Sequence, residues 1–94
     1  MGYLFFEDPG HGWLEVTRDE LRQLGIADKI SHYSYQSRDG SKVFLEEDSD
    51  LMKFAEATGW KRGMLYADWA LSIGGIQTVY HEDNRIRGLP PYQP

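Results

Sequence analysis

Short runs of apolar residues, separated by residues that favour turns, open the chain. Residues 3–6 form an aromatic run, and the acidic, proline and glycine residues of positions 7–12 follow it. Asp, Pro and Gly favour tight turns because of their backbone preferences and local hydrogen bonds. A second short run lies at residues 13–16. The pattern predicts two strands that pair as a hairpin.

A helix is predicted directly after this hairpin. Thr17 and Glu20 stand at the capping-box spacing, in which each side chain pairs with the other residue's backbone N–H. Leu21 and Leu24 would point inward, and their charged and polar neighbours outward. Gly25 favours the end of the helix because glycine readily adopts the left-handed conformation found there.

The next segment repeats the order of hairpin and helix. Residues 30–36 alternate in the manner of a strand, and we expect the face that carries its tyrosines to be buried. The Asp39-Gly40 pair is a leading hairpin signal. Residues 43–45 then form the returning strand.

A second helix is predicted after this returning strand. Asp48 or Ser49 is suited to cap its first turn, and Gly59 to end it. Its apolar positions recur at the spacing of an amphipathic helix. They are Leu51, Phe54, Ala55 and Thr58.

The last third of the chain is less regular. Residues 64–73 are apolar and form either a third short helix or a loop packed on the core, before a Gly-Gly break. Residues 76–80 alternate as a strand. The proline-rich end is compatible with neither a helix nor a central strand. It is expected to be ordered only if Leu89 and Tyr92 find pockets.

These elements together predict an α+β fold. We expect an antiparallel sheet built from two hairpin–helix units plus a C-terminal strand, with the helices mainly on one face. A single domain is expected over residues 1–88, followed by an extended tail over residues 89–94.

Composition narrows the class of protein without indicating an activity. The chain of 94 residues and 10.9 kDa suffices for one modest core, and no apolar run approaches the roughly 20 residues that cross a bilayer. The absence of cysteine excludes disulfides, thiolate metal sites and cysteine nucleophiles. The N-terminus lacks the basic flank and apolar stretch of a signal peptide. We therefore expect a cytoplasmic protein that does not bind membranes.

The charge is negative and unevenly distributed. The net charge of −5 divides into −6 in residues 1–50 and +1 in residues 51–94. Phosphates are bound by Lys and Arg, so direct nucleic-acid binding is not expected. A basic surface on another protein is the partner that fits this charge, although an acidic balance also serves solubility alone. The main basic residues of the second half either neutralise the acidic face, which we expect, or contact an anion: Lys61, Arg62, Arg85 and Arg87.

Four stretches of the chain resemble one protein family. They are DPGHGWL at residues 8–14, LGIADKIS at residues 24–31, YSY at residues 33–35, and LEED at residues 45–48 with Asp50. They are similar to a family of small uncharacterised proteins carried by bacteriophages, prophages and plasmids. The resemblance implies a mobile-element setting, in which small acidic proteins often bind and block host machinery.

Two features are candidates for contacting such a partner. Residues 46–50 carry four carboxylates, which either favour a helix start, form an acidic patch that faces a protein, or bind a divalent cation. The calcium-loop pattern fails after Asp50, so no metal site is predicted. The 13 aromatic residues suggest either an exposed aromatic surface or a cluster that closes the sheet. The predicted partner-binding residues are Glu46, Glu47, Asp48, Asp50, Tyr66 and Trp69.

An alternative site lies at the first turn. His11 stands between two glycines near Glu7 and Asp8, and a histidine near carboxylates can act as a general base. The same residues also suit an ordinary tight turn. The histidines at positions 11, 32 and 81 lack metal-site spacing and could meet only through folding, for example with Glu82 and Asp83 beside His81.

No strong catalytic motif is present. The chain has neither a Gly-x-Ser-x-Gly nucleophile elbow nor a phosphate-binding loop, so no catalytic residue and no cofactor is predicted. We expect a small acidic, non-enzymatic protein that binds and inhibits a host protein, in an anti-defence or DNA-mimic-like role. Self-association is compatible with this expectation. The alternative is a small enzyme or ligand-binding domain that uses His11 and the neighbouring carboxylates.

Overall fold

Five strands and three helices are present in residues 2–80 and 85–94, which the computed structural model describes. In chain order they are β1 (Tyr3–Glu7), β2 (Gly12–Thr17), α1 (Arg18–Gln23), β3 (Tyr35–Gln36), β4 (Lys42–Glu46), α2 (Asp50–Ala57), α3 (Tyr66–Ser72) and β5 (Ile76–Tyr80).

The strands form one mixed sheet in the order β3-β4-β2-β1-β5. The pairs β1–β2, β2–β4 and β3–β4 are antiparallel, whereas β5 lies parallel to β1. The parallel pair arises because the segment that contains α2 and α3 returns the chain to the beginning of β1, where Tyr3 pairs with Ile76. The α+β class is therefore confirmed, with one parallel strand pair in a mostly antiparallel sheet.

One face of the sheet packs against all three helices, and we call it the helix face. Its central row consists of Phe5, Leu14 and Leu45, which are paired across three neighbouring strands. Each helix contributes buried side chains to the same core, namely Leu21 from α1, Leu51, Phe54 and Ala55 from α2, and Trp69 from α3. The predicted placement of the helices on one face is thus confirmed.

The opposite face, which we call the tail face, is covered by the C-terminal segment instead of a helix. Trp13 and Phe44 pack there with Ile86, and Leu89 lies against the same cluster. Tyr92 is instead buried in the helix-face core, and its backbone N–H donates to the carbonyl of Ser34 at 2.8 Å. Leu89 and Tyr92, whose packing the sequence analysis required for an ordered tail, therefore both pack against the rest of the fold.

The long strand expected over residues 30–36 is wrong in its extent, because only Tyr35–Gln36 is a strand. Ile30 is buried in the helix-face core, whereas Tyr33 is 66 % exposed. The cause is a hydrogen-bonded connection to α2. Ser34 donates to the buried carboxylate of Asp50 at 2.6 Å, and this bond draws the segment out of the sheet.

The expected capping box of α1 is present. The N–H of Glu20 donates to Thr17 Oγ1 at 3.0 Å, and the N–H of Thr17 donates to Glu20 Oε1 at 2.8 Å. The start of α2 differs, because its N-cap residue Ser49 makes no side-chain capping bond. Among the described residues, no helix is long and apolar enough to cross a membrane.

Candidate functional site

A cleft of about 370 Å³ opens on the tail face, where the β1–β2 turn meets the connection from β4 to α2. Strand register explains how the cleft forms. Trp13 of β2 is paired with Glu46 of β4. His11 and Asp48 each lie two residues beyond this pair, so both come to the same end of the sheet and lie close together. The residues that line the cleft are His11, Trp13, Tyr33, Tyr35, Glu46, Asp48, Ser49 and Arg87.

Aromatic side chains form one wall of the cleft. Trp13 is buried, and its ring meets that of Tyr35 edge to face with centroids 6.1 Å apart. The guanidinium of Arg87 lies 5.5 Å from the centroid of the Trp13 ring. The indole N–H of Trp13 is buried without a hydrogen-bond partner in the part of the chain that the structure describes. The wall therefore combines exposed ring area at Tyr33 with a rigid, buried indole.

Asp8 holds Arg87 in place through two hydrogen bonds. Arg87 Nε donates to Oδ2 at 2.9 Å and Nη2 donates to Oδ1 at 3.2 Å. The same carboxylate accepts the backbone N–H groups of Gly10 and His11. The Arg87 hydrogen bonds, together with those backbone bonds, lower the pKa of Asp8 to about 2. Asp8 is thus engaged within the fold, and Arg87 neutralises an acidic residue as the sequence predicted.

Acidic residues surround this end of the sheet, and we define the acidic patch as Glu7, Glu46, Glu47 and Asp48; of these, Glu46 and Asp48 line the cleft. Burial raises the pKa of Glu47, and the charges of Asp48, Glu46 and Glu7 raise it further. Glu47 and Asp48 are exposed. Glu46 is different, because its side chain is only 12 % exposed and accepts the backbone N–H of Asp48 at 2.8 Å. The patch therefore has three exposed carboxylates, those of Glu7, Glu47 and Asp48, beside the one of Glu46 that is built into the fold.

His11 lies between the aromatic wall and the acidic patch. Its Nδ1 is 3.7 Å from Glu46 Oε1, and its side chain is 45 % exposed. The imidazole ring is tilted against Trp13 with centroids 6.2 Å apart. One potential ligand atom from each of His11, Glu46 and Asp48 lies within 4.8 Å of the other two. The structure thus brings together His11 and part of the acidic run, which the sequence had only allowed as an alternative.

Asp50 does not belong to an exposed surface, which corrects the sequence-based prediction. Its side chain is fully buried and accepts hydrogen bonds from Ser31, Ser34 and Lys53. Burial acts to raise the pKa of Asp50, but the hydrogen bonds from Lys53, Ser34 and Ser31 together outweigh it and lower the pKa. A residue with these contacts serves the fold and cannot reach a partner.

Trp69 is likewise buried, so it does not belong to an exposed aromatic surface. It packs edge to face against Phe54, with centroids 6.4 Å apart, and its Nε1 donates to Thr58 Oγ1 at 2.9 Å. Tyr66, the other aromatic residue among the predicted partner-binding residues, is 42 % exposed. It lies in α3 beside Trp69 and does not line the cleft.

Sequence reasoning did not identify Tyr33 and Tyr35 as site residues. Their alternation with Ser34 was visible, but it indicated a buried strand face. The His32 ring stacks on Tyr33 with centroids 4.7 Å apart, outside the group that contains His11. His81, Glu82 and Asp83 lie outside the described residues.

Comparison of the chain with protein-family models, with curated proteins and with solved structures finds no match.

Proposed function

We propose that this protein is a non-enzymatic binding protein whose cleft and acidic patch receive a basic segment of another protein. One observation carries the proposal: the protein's own Arg87 occupies one end of the cleft, over the Trp13 ring and paired with a carboxylate. The remaining part of the cleft offers the same combination of aromatic rings and carboxylates, with Tyr33, Tyr35 and Asp48.

Physical chemistry supports a cationic partner over an anionic or neutral one. A cation over an aromatic face gains about 0.5–1 kcal/mol at an exposed site and more when desolvated. Charge-assisted hydrogen bonds to a carboxylate such as that of Asp48 are stronger than neutral ones. Because Asp8 already neutralises Arg87, the exposed charge that remains at Glu47 and Asp48 is negative.

The consequence of binding is a further part of this proposal. In a mobile-element setting, which the sequence resemblance implies, the partner is a host protein with a basic surface, and binding inhibits it. A host protein that normally binds DNA fits this requirement, because an acidic protein competes for the same basic surface. The protein would then act in the host cytoplasm.

The proposal is tested with an arginine-containing peptide, using the indole resonance of Trp13 as the readout. The informative variant is Asp48→Lys, which reverses a charge that lines the cleft and changes the net charge from −5 to −3. We expect it to weaken peptide binding at least tenfold, since opposed like charges at an interface cost several kcal/mol. Wild-type affinity should also fall as salt rises.

The matched control is Asp68→Lys, which makes the same change in net charge at an exposed position outside the cleft. We expect its affinity to remain within about twofold of wild type, because screening reduces distant charges. Equal weakening in both variants would show only a non-specific attraction. No weakening in the cleft variant would remove this site from the function.

A second candidate function rests on the position of His11 in the cleft. An imidazole beside Glu46 and Asp48 is an arrangement that a small enzyme or ligand-binding domain uses for acid–base chemistry. The variant His11→Ala separates the two candidates. Under the binding proposal, its affinity for the basic peptide stays within about threefold of wild type, a change of roughly 0.6 kcal/mol.

A further inference from the structure

We propose that His11, Glu46 and Asp48 form a binding site for a divalent transition-metal ion of the zinc class. One ligand atom from each residue lies within 4.8 Å of the other two. Rotations of the exposed His11 and Asp48 side chains would bring these atoms to the distances at which one ion is bound, about 2.0–2.2 Å from each ligand. The inference concerns the isolated protein and does not depend on a protein partner.

The three ligands come from two segments that the sheet holds together. His11 belongs to the β1–β2 turn, whereas Glu46 and Asp48 lie at the end of β4 and directly after it. The Trp13–Glu46 pair and the bond from the Glu47 N–H to the Gly12 carbonyl, at 3.0 Å, fix the two segments next to each other. The site is therefore a product of the tertiary structure and differs from a run of acidic residues on one helix.

The fold orients the Glu46 carboxylate and fixes the backbone of His11. The backbone N–H of His11 donates to Asp8 at 2.8 Å, and its ring rests against Trp13. The Glu46 carboxylate is oriented by the N–H of Asp48. Because a ligand held in place by such contacts loses less entropy on binding, this preorganisation favours the bound state.

The ligand atoms are also available. Within residues 2–80 and 85–94, no hydrogen bond engages the imidazole of His11 or the carboxylate of Asp48. The Nδ1 atom lies 3.7 Å from Glu46 Oε1, which is too long for a hydrogen bond.

The donor set determines the class of metal. An imidazole nitrogen with two carboxylate oxygens suits Zn²⁺ and Co²⁺, whereas Mg²⁺ and Ca²⁺ prefer sites made of oxygen alone. Three protein ligands leave at least one coordination position for water or for a group on a ligand. Tyr33 and Tyr35 line the same cleft as the three ligands, so a group bound at that position would share the cleft with these rings.

The test is a titration of the isolated protein with ZnCl₂ and CoCl₂ at neutral pH, followed by calorimetry and by the visible absorption of Co²⁺. We expect one ion per chain, with Mg²⁺ and Ca²⁺ giving no comparable binding. In imidazole nitrogen NMR spectra, His11 should show the large shift of a ligated ring. Absence of binding, or ligation seen at a different histidine, would overturn the proposal.

Variants identify the ligands. His11→Ala and Asp48→Asn should each lower zinc affinity at least tenfold, because loss even of a group that only hydrogen-bonds to a ligand costs about 10–100-fold. Both positions are exposed, so these variants are expected to fold. His32→Ala is the matched control and should retain wild-type affinity. Wild-type affinity in His11→Ala, or a loss confined to His32→Ala, would show that the ion binds elsewhere.

Discussion

Asp50 is fully buried at the first position of α2, where its carboxylate accepts bonds from the N–H and hydroxyl of Ser31 and from the Ser34 hydroxyl. Lys53 supplies the compensating positive charge at 2.8 Å. Ser34 in turn accepts the N–H of Glu46 at 3.0 Å. This one carboxylate therefore connects a loop, a helix and the strand that leads to the cleft.

Replacement of Asp50 with Asn should destabilise the protein by about 2–3 kcal/mol, because hydrogen bonds to a buried charge are lost and Lys53 loses its partner. Urea unfolding measures this change. The control is Asp48→Asn, the same chemical change at an exposed position, for which a loss within about 0.5 kcal/mol is expected. Equal losses in the two variants would mean that the Asp50 contacts do not stabilise the fold.

The lowered pKa of Asp50 determines how the stabilisation by its hydrogen bonds changes with pH. Since the pKa is lowered from its ordinary value of 3.8, the folded state favours the ionised form. The stabilisation is present above pH 3.8 and is lost as the pH falls through the lowered pKa. The difference in unfolding free energy between wild type and Asp50→Asn should therefore shrink in acid.

At the scale of the element, the connection from β4 to α2 places the neighbouring residues Glu46 and Glu47 in different environments, one buried and one exposed. Glu46 is buried at the end of β4 and accepts the N–H of Asp48 through both oxygens. Glu47 is exposed, on the other side of the chain. The alternation of a strand determines this difference, because successive side chains point to opposite faces.

Single charge reversals should reveal this difference. Glu46→Lys is expected to cost about 1–3 kcal/mol, because it removes a buried acceptor and leaves the Asp48 N–H without a partner. Glu47→Lys should change stability by no more than about 0.5 kcal/mol. Thermal and urea unfolding of both variants measure these changes. A stable Glu46→Lys protein would show that Glu46 belongs to the free surface.

At the scale of the whole molecule, the C-terminal segment completes the fold. Pro91 forms a β-bridge with Tyr35, and the carbonyl of Pro90 accepts the N–H of Gln36 at 3.0 Å. The segment thus covers the β3 edge of the sheet. It also places Arg87 and Leu89 on the tail face, so residues 85–94 contribute both to the core and to the cleft.

Deletion of residues 89–94 should therefore destabilise the protein by about 3 kcal/mol or more, since the buried Tyr92 and the packed Leu89 are lost. Unfolding by urea measures the change. Deletion of residues 93–94 alone is the control, because it retains both of these side chains and should cost clearly less. Equal stability of wild type and the longer deletion would mean that the tail does not belong to the folded domain.

Local patterns determined which elements form and where several of them begin. Thr17 and Glu20 indicated the start of α1, and the short apolar runs at residues 13–16 and 43–45, next to turn residues, indicated two strands of the sheet. These features could be predicted because capping and hairpin signals depend on residues that are close in sequence. The same reasoning failed for residues 30–36, where bonds from Ser31 and Ser34 to Asp50 override the strand pattern.

The sequence by itself therefore determined the α+β class, the two hairpin–helix units, the negative charge of the first half and the absence of cysteine chemistry. Only the tertiary structure decided which acidic and aromatic residues face solvent. Asp50 and Trp69 are buried, and His11 lies beside Glu46 and Asp48. The physical reason is that burial and side-chain proximity follow from strand register and long-range packing, which bring together residues that are far apart in the chain.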